Sequence, residues 1–165
     1  MKIRKYREED SFEIGKLILR TYRDFNLSFA NPKQQKELLG PFYHADSHER
    51  EHKEKITEVI QAEILLVAED NGKVFGVLRG KKDKLQSLFV AEEYHRSGIG
   101  KKLVAEFESE VSKSGGEVIK LMATIYAVPF YLAVDYKKTT GVRSMKTFDG
   151  SGLPYQPMKK ILSFP

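Results

Sequence analysis

The chain changes its rhythm of polar and apolar residues several times, and each change marks an element. The opening "MKIRKY" alternates as a short strand does, and the acidic "EEDS" behind it supplies the polar start of a helix. Ile14, Leu17, Ile18 and Tyr22 then recur at helical spacing through "SFEIGKLILRTYRDF". A loop at Asn31-Pro32 breaks that pattern, and two further helical pieces follow, "KQQKELLGPFYH" and "SHEREHKEKITEVIQAE". The rhythm next turns strand-like. "ILLVAED" and "KVFGVLRGKK" flank Asn71-Gly72, the strongest hairpin signal in the chain, and "KLQSLFV" continues the run. Ile99, Leu103, Phe107 and Val111 form one face of a helix that Gly115-Gly116 ends. "EVIKLMAT" is a strand, "YAVPFYLAVDY" a short helix containing a proline, and "VRSMKTF" and "PMKKILSF" are closing strands.

Early hairpins imply antiparallel pairing, while the strand–helix–strand unit in the middle implies one local parallel pair. The expected fold is α/β (α+β): a mixed, mostly antiparallel sheet of about seven strands with helices on both faces, forming a single domain over residues 1–165.

Composition narrows this picture. A length of 165 residues with 41% hydrophobic content suits one domain with its own core. With no cysteine, a disulfide framework and a thiolate zinc site are both excluded. No apolar run approaches the roughly 18 residues of a membrane helix, and the N-terminus lacks the apolar core of a secretory signal. A cytoplasmic protein, monomeric or homodimeric, is the expectation. The net charge of +5 comes from small clusters such as "RKYR", "KKDK" and "GKK". It suits an anionic ligand but is too interspersed with acids to imply nucleic acid.

One turn carries most of the chemistry. "YHRSGIGKKL" follows an apolar strand and opens the helix of Ile99 and Leu103. The unpaired N–H groups of a helix N-terminus attract anions, and glycines let the backbone come close. A Walker loop would need glycine at 95 and Ser or Thr at 102, where His95 and Lys102 stand. A dinucleotide fingerprint would need glycine at 103, where Leu103 stands. Both common nucleotide readings fail.

With Gly98 and Gly100 in place, this turn resembles the Gln/Arg-x-x-Gly-x-Gly/Ala turn of the GNAT superfamily of N-acetyltransferases, with His95 at the first position and Arg96 beside it. The resemblance covers most of the chain. Downstream, Ala127, Phe130 and Tyr131 match the family's Ala and Phe-Tyr pattern, whereas Thr124 replaces an Asn and Asp135-Tyr136 replace Gly-Phe. The resemblance implies that acetyl-CoA is the co-substrate, its pyrophosphate held at the turn by His95, Arg96, Ser97, Gly98, Ile99, Gly100, Lys101 and Lys102. It implies that Leu88, Phe89 and Val90 receive the pantetheine arm on a strand splayed from its neighbour, with Ala127 and Phe130 nearby. A backbone N–H near Phe89 or Val90 would polarise the acetyl carbonyl, and Tyr131 would be the general acid. The activity implied is direct acetyl transfer to a primary amine on a small molecule, an amino acid or a peptide. Acceptor choice would reside in the closing loops and in residues 20–62, where Tyr22, Phe25, Phe29, Phe42 and Tyr43 shape a pocket or belong to the core.

The base that takes the amine's proton is not visible; Asp83, Glu37 and Glu63 are candidates, none preferred. Two other functions compete. A non-catalytic acyl-CoA-binding regulatory module would keep the turn and lose the chemistry, and a phosphate-binding RNA partner rests on charge alone. "HEREH", His48 to His52, matches the H-E-x-x-H of zinc hydrolases, with His44 another four residues back. Its neighbours are almost wholly polar and no third ligand stands out. Asp46 and Glu49 read as a capping box, so a solvated helix start with no metal is expected.

Overall fold

The computed structural model describes residues 1–163; the Phe164 end of the "PMKKILSF" strand lies outside them. Among the described residues eight strands form one sheet: β1 (Lys2–Lys5), β2 (Ile64–Asp70), β3 (Lys73–Lys81), β4 (Lys84–Val90), β5 (Val118–Thr124), β6 (Lys137–Lys138), β7 (Arg143–Thr147) and β8 (Gly150–Ile161). They lie in the order β1-β2-β3-β4-β5-β8-β6, with β7 also on β8. Every pairing is antiparallel except β4 with β5. The helices are α1 (Ser11–Thr21), α2 (Pro32–Leu39), α3 (Arg50–Val59), α4 (Ile99–Lys113) and α5 (Val128–Leu132). Among the described residues no helix is long and apolar enough to cross a membrane.

Two cores sit on opposite faces of the sheet. Ile14, Ile18, Leu39 and Ile56 pack from α1, α2 and α3, with Ile60 just past the end of α3, against Val67 and Val77. On the other face, Ile99, Leu103, Phe107 and Val111 of α4 cover Leu66, Ala68 and Leu78. Covered on both sides, β2 reads as a continuous apolar run instead of an alternating one.

The sheet exceeds the expected seven strands because β6 is too short to leave a pattern, and β8 begins at Gly150, seven residues before the sequence pattern suggests. Pro154 and Pro157 hide the extension, since proline reads as a strand breaker. Both are tolerated. Pro154 lies beyond the last β5 pair, Thr124 with Tyr155. Pro157 faces the step where the outer partner changes from β7 to β6, and its carbonyl accepts from the Thr139 N–H at 3.1 Å.

Helix starts also differ from expectation. The Asp46–Glu49 capping box does not form, because the turn after His44 runs on to Ser47 and delays α3 to Arg50. Ser47 Oγ takes the Glu49 N–H instead, at 3.1 Å. The capping box lies at α2, where the Asn31 side chain accepts from the Gln34 N–H and Gln34 reaches back to the Asn31 N–H. His48 therefore precedes α3, beside Phe12, while His52 stacks on His44 at 4.2 Å. The two histidines of "HEREH" do not share a helical turn, and among the described residues no group of three metal-ligating side chains occurs.

Candidate active site

β4 and β5 share a single register pair, Lys84 with Lys120, reinforced by the Lys120 N–H donating to Asp83 O at 2.9 Å. Beyond that pair the two strands part. The other edge of β4 stays on β3, and the Ala91 N–H donates to Phe75 O at 2.8 Å. Antiparallel alternation then turns the backbone groups of Phe89 towards β3 and those of Leu88 and Val90 into the gap. An N–H offered to the gap therefore belongs to Leu88 or Val90. The Phe89 ring goes to the face of α1, against Tyr22 at 5.6 Å.

The turn after β4 is tied to the gap by His95. Its Nε2 lies 2.8 Å from Val90 O. A carbonyl only accepts, so Nε2 carries the proton. Arg96 and Gly98 then take positive φ, 60° and 82°, and α4 begins at Ile99. The Lys102 N–H is the first in α4 to find a helical partner, Gly98 O at 3.1 Å, so the N–H groups before it remain available. They open on a cavity of about 630 Å³ bordered by Arg96, Gly98, Gly100, Lys101, Phe130 and Tyr131. Gly100 is tight: a Cβ there would stand 3.0 Å from the Phe130 ring. Ile99 contributes backbone only, its side chain being in the core. Ser97 donates its hydroxyl to Tyr94 O, and Lys102 is exposed beside the cavity and not on its wall.

On the far side of Leu88 a second cavity, about 350 Å³, opens between the parted strands and α1. Asn26, Leu88, Ala127 and Tyr131 border both cavities. Among the described residues no Asp or Glu lines either one. Asp83 sits at the closed end of the strand pair with Lys81, Glu37 lines a separate surface groove, and Glu63 is exposed before β2. None of the three reaches Tyr131's surroundings.

Tyr131 is held in α5 by Phe130 at 5.2 Å and Tyr136 at 5.7 Å. Burial pushes its phenol well above the ordinary tyrosine range, so the hydroxyl keeps its proton. Asp135 closes α5 with φ 69°, and the Tyr136 N–H returns to Tyr131 O at 3.0 Å. That explains one departure in the sequence. The position needs a left-handed backbone, which Gly adopts freely and Asp tolerates.

Asn26 left no signal in the pattern. α1 passes into a single π-turn over Tyr22–Asn26, closed by the Leu27 N–H on Tyr22 O at 2.9 Å. The extra residue in that turn brings Asn26 onto the site, where its Nδ2 donates to Thr124 Oγ1 at 2.6 Å. It also sets Phe25 against His95 at 4.9 Å. Of the other aromatics in this stretch, Tyr22 and Phe42 line the second cavity, while Phe29 and Tyr43 are exposed.

Fold and site together describe an acyltransferase. The model of the acetyltransferase (GNAT) domain matches residues 30–162, and the chain belongs to that family. A GCN5-related N-acetyltransferase of Rhodopseudomonas palustris superposes with a TM-score of 0.78 at 18% identity, covering 98% of this chain and 95% of that one. The PaiA N-acetyltransferase of Thermoplasma acidophilum, solved with coenzyme A, gives 0.67 at 19% identity, with 98% of both chains covered. The aminoglycoside 6'-N-acetyltransferase of Enterococcus faecium gives 0.64 at 17%, covering 100% of this chain and 99% of that one.

Proposed function

We propose that the protein transfers the acetyl group of acetyl-CoA directly to a primary amine. The observation that carries this reading is the position of Tyr131 on the shared wall of two cavities. One cavity presents a helix N-terminus with Arg96 and Lys101 and suits a pyrophosphate. The other has room for a small acceptor. The solved PaiA relative, which holds coenzyme A, supports the choice of carrier.

In this reading the N–H groups ahead of Lys102 hold the pyrophosphate, and Leu88 or Val90 offers an N–H to the oxygen of the acetyl group. The neutral amine attacks the carbonyl carbon, a C–N bond forms, and the C–S bond breaks. Tyr131 gives its proton to the departing thiolate and recovers one from solvent, while the amine nitrogen sheds its own to water. A free phenol near ~10 is a weaker acid than a thiol near ~8.5, and burial widens that difference. Position therefore matters more than acidity.

The test is titration calorimetry with acetyl-CoA, CoA and ATP, followed by thiol release against a panel of amines. Binding of both thioester and thiol forms but not ATP, with amine-dependent release, is the expected result. Absence of binding by folded, ligand-free protein removes the reading.

A further inference from the structure

The second cavity has a charge and a polarity that transfer to a generic amine does not require. Arg79 on β3 and Ser87 on β4 are direct cross-strand partners, so their side chains leave the same face of the sheet. Both line this cavity. Arg79 Nη2 donates to Val59 O, the last carbonyl of α3, at 2.7 Å. That bond accounts for one of five donors. Arg79 Nε and Ser87 Oγ are both buried, and neither has a hydrogen-bond partner among the described residues. Burial alone shifts the Arg79 guanidinium, downward, with no carboxylate among the described residues near enough to offset it. Lys84 and Lys146 add two more cations to the same wall, which holds neither Asp nor Glu among the described residues.

Buried guanidinium and hydroxyl donors left without acceptors are uncommon in folded proteins, and a rotation of Arg79 and Ser87 into the cavity they both line would turn the pair onto an anion. A guanidinium matches both carboxylate and phosphate oxygens. Ser87 immediately precedes Leu88, one strand residue or about 3.3 Å further along, where the backbone opens to the gap and Tyr131. An anion at Arg79 and Ser87 thus lies only a few bonds from the reacting amine. The cavity, at about 350 Å³, stands at the small end of ligand sites.

We infer that the acceptor is a small amine carrying its own anionic group, a carboxylate or a phosphate, which Arg79 and Ser87 hold while the amine faces the acetyl group. This rests on the transfer reading above and specifies its substrate class. Polycations such as aminoglycosides are the wrong charge for this wall.

The test is thiol release from acetyl-CoA by the full chain with three sets of amines. The anionic set is β-alanine, glutamate and 2-aminoethyl phosphate; the neutral set is ethanolamine and benzylamine; the polycationic set is spermidine and kanamycin. Expected is a kcat/KM at least about tenfold higher for the best anionic amine than for any neutral or polycationic one. Comparing carboxylate with phosphate within the first set identifies which anion is bound. Arg79→Met should lower kcat/KM about tenfold or more for anionic amines, mainly through KM, and leave neutral amines within about threefold. Arg79→Lys should recover part of the loss. Should Arg79→Met fail to fold, Ser87→Ala carries the same comparison.

Preference for neutral or polycationic amines overturns the inference. So does an equal loss for every amine in Arg79→Met, which would make the guanidinium a cap on α3 with water filling its remaining bonds. If no amine releases thiol, the transfer reading falls separately. The anion seat is then judged by calorimetry of glutamate and 2-aminoethyl phosphate on CoA-loaded protein. Binding that Arg79→Met abolishes supports it, and no binding of either overturns it.

Discussion

Comparing a methyl group with a carboxylate at position 100 separates coenzyme binding from folding in this chain. In Gly100→Ala the new Cβ would meet the Phe130 ring at 3.0 and 3.1 Å and approach Leu88 at 3.9 Å, all on the wall of the larger cavity. The ring is only half-buried, so it can yield by a few tenths of an ångström. Against that strain stands a gain of about 1 kcal/mol in helix propensity from Gly to Ala. Net stability should change by less than about 1 kcal/mol. Binding separates the two substitutions. The family's turn admits Ala at this position, so Gly100→Ala should leave Kd for acetyl-CoA within about threefold. An N–H bonded to a charged phosphate oxygen contributes about 1.5–3 kcal/mol, and Gly100→Glu, which sets a carboxylate beside the phosphate, loses at least one such bond. At 1.4 kcal/mol per decade, its Kd should rise at least about 10- to 150-fold. Gly98→Ala is the control. There a Cβ meets open space, but φ of 82° imposes about 1–2 kcal/mol of left-handed strain, so melting temperature falls. The assays are calorimetry with acetyl-CoA and differential scanning calorimetry on the same samples. A Gly100→Glu protein with unchanged Kd, or one whose binding loss is matched by a loss of stability, refutes the assignment of the turn.

Three further outcomes are expected. Tyr131→Phe should lower kcat about a hundredfold while Kd for acetyl-CoA stays within about twofold, read by thiol release and calorimetry; an unchanged kcat assigns the proton to water. Asp135→Gly should stabilise the protein by up to about 1 kcal/mol and Asp135→Ala should destabilise it, because φ of 69° suits Gly best and Ala worst; equal melting temperatures would show that α5 relaxes at its end. The third concerns acid. Arg4 holds Asp10 at 2.7 and 2.8 Å and Glu69 at 2.8 Å, joining β1, β2 and the turn before α1. Hydrogen bonds from Arg4 and Lys2 bring Glu69 down to about 2; at Asp10 burial pushes upward, but Arg4 and the Arg7 N–H outweigh it and keep the carboxyl below its ordinary range. Both folded values lie below the unfolded ones near ~4, so the stability they contribute is complete above that pH and is lost as pH falls towards about 2. Glu69→Gln should flatten the decline of melting temperature over that window, and parallel curves for mutant and wild type would exclude the cluster as its cause.

The elements with long, clean patterns were legible in the chain. The α4 face of Ile99, Leu103, Phe107 and Val111 and the Asn71-Gly72 hairpin stand where periodicity and turn chemistry put them. The antiparallel pairing of β2, β3 and β4 and the parallel pair of β4 with β5 are those that the hairpins and the strand–helix–strand unit imply. What escaped has physical reasons. A π-turn changes the spacing by one residue over a single turn, so Tyr22–Asn26 reads as ordinary helix although it aims Asn26 at Thr124. Prolines conceal the start of β8, where a change of outer partner makes their missing N–H harmless. The anion seat is invisible because Arg79 and Ser87 sit in different strands and look like ordinary surface residues until the register joins them. "HEREH" misleads in the opposite direction: a linear match without the helix it presupposes.

The missing base takes a different meaning once the cavity is seen whole. A lysine-like amine has a pKa of ~10.4 and arrives charged, so transfer needs a proton removed before attack. A carboxylate beside it would accept that proton but would also hold the ammonium form in place. Here Lys84, Lys146, Arg96 and Lys101 border the two cavities, and no Asp or Glu does among the described residues. Positive charge favours the neutral amine. An anion on the acceptor, paired with Arg79, brings the amine into this field without cancelling the rest of it. Once the carrier is bound its pyrophosphate offsets Arg96 and Lys101, so under the proposed transfer it is Lys84 and Lys146 that bias the acceptor towards its nucleophilic form without a visible base.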